Sequence, residues 1–128
     1  MRIAALAILF LGGCATVDDD SLVDNPVYEA RSGDGWRLVI GDDIALRLGH
    51  NFVDYPIVYV IYRYPGVRGR EHEGVRRWRS SIAGSTILIQ AHPGPCALRD
   101  GSAYEHNVRV VTRRLELSGC GGRQVRQP

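Results

Sequence analysis

The sequence predicts an all-β fold, a small antiparallel barrel or sandwich of about eight short strands. Three observations predict it. Apolar residues alternate or run in stretches of about five to eight, bounded by Gly, Asp, Asn and Pro. Gly and Pro recur too often for a sustained helical face. Turn chemistry also returns at short intervals. A chain of 128 residues supports one domain, and 45% apolar against 23% charged residues is the balance of a globular chain, not a disordered one.

Taken in order, "VYEAR" (27–31) is a weak first strand and "WRLVI" (36–40) a good second. "GDD" then turns the chain into "IALRL" (44–48), where Ile44, Leu46 and Leu48 share one face, so these two strands form a hairpin. "PIVYVIYRY" (56–64) is apolar on both faces, which predicts a central strand covered on both sides, with Tyr59 inside and Tyr62 and Tyr64 on the opposite surface. "VRRWRS" (75–80) and "STILIQA" (85–91) pair through "SIAG", and "HNVRVV" (106–111) pairs with "RLELS" (114–118) as the last hairpin.

Ahead of the strands, "MRIAALAILFLGGCATVDDD" carries Arg2, then an apolar stretch from Ile3 to Leu11, then small residues before Cys14, the pattern of a bacterial export signal. The stretch is shorter than the roughly 20 residues that span a bilayer. "LGGC" resembles the lipobox of bacterial lipoproteins. That resemblance implies cleavage before Cys14 and its modification with acyl chains, palmitate among them, which together anchor a protein stably. Residues 1–13 are then a signal peptide, 14–26 an acidic flexible tether, 27–122 the all-β domain and 123–128 a disordered tail. Ala15 after the lipidated cysteine favours the periplasmic face of the outer membrane over the inner membrane.

Lipidation of Cys14 leaves Cys96 and Cys120 as an even pair in an oxidising compartment, where disulfides persist. Closing a loop of that length stabilises a fold by roughly 3.5 kcal/mol in the chain-entropy model. A Cys2His2 zinc site is the alternative, although neither cysteine has a CxxC partner.

"PGPCALRDGSAYEHNVRVVTRRLELSGCGG" (93–122) resembles the C-terminal signature of a family of uncharacterised bacterial envelope lipoproteins: Pro-Cys, a polar loop, Tyr, Val-x-Val and a final Leu-x-Gly-Cys. "SGDGWRLVIG" is similar to that family's early Trp strand, while the loop after Cys96 departs from the family's Ser-Asp-Gly-Met type. The layout is also similar to that of small β-barrel lipoproteins such as the membrane-bound inhibitor of c-type lysozyme, a likeness of architecture only.

Two places are candidate binding sites. "VRGREHEGVRRWR" sets Arg68, Arg70, Arg76, Arg77 and Arg79 against two glutamates, either a surface for anionic envelope material or a solvated strand face with Trp78 turned inward. The segment after Cys96 offers Arg99, Asp100, Tyr104 and His106. From Asn25 onward 15 Arg face 10 acids, so a strongly basic lysozyme would be repelled at long range unless the polar loop 98–106 opposes it. Glu71, His72 and Glu73 alternate faces on a strand and converge poorly on a metal. No nucleophile elbow, zinc-protease helix, P-loop or nucleic-acid motif is present. The expectation is a lipid-anchored, non-catalytic binding or envelope-maintenance protein with no cofactor, no metal and no nucleic-acid partner. A lysozyme inhibitor is the first alternative, and an uncharacterised hydrolase or metal-dependent enzyme the second.

Overall fold

In the computed structural model the described residues are 22–33, 35–52 and 55–126; the export signal, Cys14 and residues 14–21 of the acidic segment lie outside them. Nine strands form one antiparallel sheet: β1 (Tyr28–Arg31), β2 (Trp36–Ile40), β3 (Asp43–Phe52), β4 (Tyr55–Pro65), β5 (Arg70–His72), β6 (Val75–Ile82), β7 (Ser85–Ala97), β8 (Ala103–Thr112) and β9 (Glu116–Val125). Their order is β4-β3-β2-β1-β9-β8-β7-β6-β5, curled into a half-barrel. There is one strand more than expected, because Arg70–His72 folds back on β6 as a short edge.

Strand alternation builds the core directly. Residues directly opposite one another in an antiparallel pair share a face, so the register Trp36↔Leu48, Leu38↔Leu46 and Ile40↔Ile44 lines up one apolar surface. Trp78, Ile89 and Val110 do the same across β6, β7 and β8. Curling brings the two halves together until Trp78 meets Tyr28 with ring centroids 4.7 Å apart. Trp36, Leu38, Ile44, Trp78 and Ile89 are all buried, so the interior is plugged at its centre.

The β4 expectation is corrected twice. Among the described residues only β3 bonds to β4, which makes it an edge strand. Apolar residues on both faces report what covers the faces and carry no information about the backbone edges. Its faces are also exchanged. Ile44↔Tyr64 and Leu46↔Tyr62 put both tyrosines on the inner surface, and Tyr64 is buried in the core. Tyr59 is 52% exposed and lies outside, its ring 4.6 Å from the Arg47 guanidinium.

Along the mouth between β4 and β6 the sheet is closed by a side chain. The buried Ser80 hydroxyl donates to the Pro65 carbonyl over 2.6 Å, joining the end of β4 to β6. On the outer face, Leu22 and Val23 pack on Val39 and Ala45, and Arg63 Nη1 donates to the Leu22 carbonyl over 2.8 Å. The last residues assigned to the tether are thus part of the packed domain, because two apolar side chains among the acids find an apolar patch. At the other end β9 continues to Val125, three residues beyond the expected boundary at 122.

Cys96 and Cys120 form the disulfide. It joins β7 to β9 across β8. Strands two apart in a flat sheet lie about 9.6 Å from each other, yet these Cα atoms are 5.5 Å apart. The ladder between β7 and β8 breaks between Pro93 and Cys96, and Gly94 at φ 142° supplies a backbone turn that other residues resist. Asn107 Nδ2 donates to the carbonyls of Gly94 and Pro95 and holds the bulge. Close approach is also required at Gly119, where a Cβ would sit 2.3 Å from the Arg31 carbonyl oxygen and 2.6 Å from the Trp36 ring.

Two stability changes follow. Replacing both cysteines with serine lowers the unfolding free energy by about 3 kcal/mol in urea titrations; a loss below about 1 kcal/mol would show that the crosslink constrains little. Ser80→Ala costs about 1 kcal/mol by the same measurement, and an unchanged midpoint would mean that the Ser80 contact does not hold β4 to β6.

Candidate functional site

The structure divides the arginine cluster between faces. Arg70 stands directly opposite Arg77, and Arg79 follows two residues along β6 on the same outer face. Like charges directly opposed across a ladder destabilise it. Among the described residues none of the three has a carboxylate within salt-bridge distance, whereas neighbouring Arg109 is paired with Glu116. Arg76 points the other way, its guanidinium 5.0 Å from the Trp78 ring at the inner face. Arg68 is exposed in the link before β5.

The residues after Cys96 do not form one site. Arg99 is exposed, and Asp100 turns the loop by accepting from the Ser102 backbone N–H at 2.8 Å and from its hydroxyl at 2.6 Å. Those Ser102 bonds, side chain first, hold the Asp100 carboxyl below the usual range. Tyr104 is half-buried with the Arg31 guanidinium 5.9 Å from its ring. His106 faces inward, and its Nδ1 lies 2.9 Å from the Tyr28 hydroxyl. Burial, reinforced by the Glu105 charge and opposed by Arg76, pushes the Tyr28 hydroxyl well above the ordinary phenol value. With both cysteines in the disulfide they ligate no zinc, and among the described residues no group of three or more His, Cys, Asp or Glu is placed to hold a metal.

The two ends of the half-barrel differ in chemistry. Tyr28, Arg76, Glu105 and Arg123 line a broad polar recess at one end. At the other, a cavity of about 480 Å³ opens between β4, the β6–β7 turn and the β8–β9 turn. Leu46, Leu48, Tyr62, Tyr64 and Leu115 give it apolar walls, and Arg113 and Arg114 stand at its edge. Tyr62 is 44% exposed although it faces inward, because among the described residues no strand bonds to β4 on that side. Sequence reasoning missed this site. "TRRL" between two strands reads as a turn, and only the curl of the sheet brings that turn beside β4.

Compared with family models, curated proteins and solved structures, the chain matches none. The domain's own surfaces are what bear on its function. They offer two chemistries, a basic strip outside and an apolar mouth with a cationic edge.

Tyr28 gives a pH signature. Its folded-state pKa is raised, so its contribution is complete below the unfolded tyrosine pKa of about 10 and is lost as pH rises above it. Urea unfolding between pH 9 and 11 should show stability falling more steeply in the native chain than in Tyr28→Phe. Equal slopes would mean that Tyr28 titrates as freely in the folded chain as in the unfolded one.

Proposed function

We propose that the protein is a non-catalytic binding module of the bacterial envelope, lipid-anchored through Cys14 at the periplasmic face of the outer membrane, which holds anionic envelope material on Arg70, Arg77 and Arg79. The observation that carries this reading is the direct opposition of Arg70 and Arg77, with no carboxylate within salt-bridge distance of either among the described residues. A folded chain that sets two guanidinium groups across one ladder loses stability by it. A bound phosphate or carboxylate polymer offsets that cost, and bidentate guanidinium hydrogen bonds suit both. Short, exposed β5 at the sheet edge leaves the strip open to a large surface. The resemblance of the N-terminus to a lipobox supports the location, since a tether from Cys14 would bring a basic face near anionic headgroups.

The full chain carrying Cys14→Ser, which lacks the attachment point for lipid, tests the strip by co-sedimentation with vesicles containing phosphatidylglycerol. Each arginine near an anionic surface contributes about 1 kcal/mol, so replacing Arg70, Arg77 and Arg79 with alanine weakens binding by about 100-fold at low salt. Raising the salt from about 50 to 300 mM reduces native binding through screening. Arg109→Ala, whose side chain is paired with Glu116, changes binding little. Vesicle binding that is indifferent to the triple substitution would exclude the strip.

A further inference from the structure

We infer that the mouth between β4 and the β6–β7 and β8–β9 turns binds a single-chain amphiphile with an anionic head, its acyl chain against Leu46, Leu48 and Tyr62 and its head between Arg113 and Arg114. This site is separate from the outer arginine strip and does not depend on it. Four observations carry it. The cavity, at about 480 Å³, lies within the size range of small-molecule pockets, and its walls are mainly apolar. Its floor is formed by the buried Leu46 and Tyr64, so a chain entering there meets packed side chains. Both arginines are exposed, and among the described residues neither has a carboxylate within salt-bridge distance. The β8–β9 turn that carries them is itself fixed, the Thr112 Oγ1 accepting from the backbone N–H groups of Arg114 and Leu115.

Tyr64 adds to these. Tyr64 is 6% exposed and lines the cavity with its ring, and its hydroxyl oxygen is not sealed from solvent. The site thus pairs an apolar trough with cationic donors at one edge. Guanidinium groups bond a carboxylate or a phosphate equally well in geometry, so the shared chemistry is an acyl chain ending in an oxyanion.

Isothermal titration of the full chain carrying Cys14→Ser tests this, with each probe below its critical micelle concentration. Myristate and myristoyl lysophosphatidic acid are the anionic probes, and monomyristin is the neutral one. At least one anionic probe is expected to bind at one molecule per chain, and the tighter of the two identifies the head as carboxylate or phosphate. Affinity should rise about fourfold for each methylene added from decanoate towards myristate. Arg113→Ala with Arg114→Ala, both in an exposed turn, should weaken the anionic probes at least tenfold, whereas alanine at Arg70, Arg77 and Arg79 leaves them unchanged. The inference is overturned by absence of saturable binding of either anionic probe, by monomyristin binding as tightly as both, or by several molecules adsorbing per chain regardless of Arg113 and Arg114.

Discussion

Everything distinctive in this molecule depends on a sheet that curls without closing. Nine strands suffice to wrap a core around Trp36, Trp78, Ile44 and Ile89, but the ladder stops at β4 on one side and at the three-residue β5 on the other. The gap is spanned by the Ser80 hydroxyl on the Pro65 carbonyl, a side-chain bond where a barrel would carry a row of backbone bonds. Had β4 paired with β6 along its length, Tyr62 would be covered and the apolar mouth would be lost. The open edge is thus what converts a packed interior into one with an entrance.

The disulfide acts at the opposite end. By drawing β7 over β8 towards β9 it curls the sheet where Tyr28, His106 and Arg76 meet, and it anchors the Asp100 turn to the strands beneath. Polar groups there satisfy one another: Tyr28 with His106, Asp100 with Ser102, and Glu105 with the Arg123 backbone. The mouth at the β8–β9 turn is the reverse case, with arginines that have no carboxylate within salt-bridge distance among the described residues. Polar groups already paired with one another have little left for a ligand. Unpaired donors beside an apolar trough are available to one.

Fold class was legible in the sequence because period-two alternation is a local signal. It located β2, β3 and β6 to β9 and identified both hairpins that carry "GDD" and "SIAG". What it could not supply was strand order. "PIVYVIYRY" is apolar on both faces whether it lies at the centre or at the edge, and alternation separates Tyr59 from Tyr62 and Tyr64 without saying which face turns inward. Leu22 and Val23 were hidden in an acidic run, and their packing on Val39 and Ala45 is set by the far side of the sheet. The arginine strip was visible as composition, but its division into Arg70, Arg77 and Arg79 outside and Arg76 inside follows from register alone. Arg113 and Arg114 gave no signal, because three separate turns and strands must converge before they border anything.

The central claim is that β4 is a free edge beside an open mouth, and amide hydrogen exchange followed residue by residue tests it most directly. In a strand bonded on one side only, alternate amides point away from the ladder. The account predicts that about half of the β4 amides exchange as fast as those in the turns, while the alternate half, bonded to β3, exchange as slowly as β2 and β8. Uniform slow exchange along all of β4 would contradict it, since that pattern requires a second ladder, a closed barrel and no entrance.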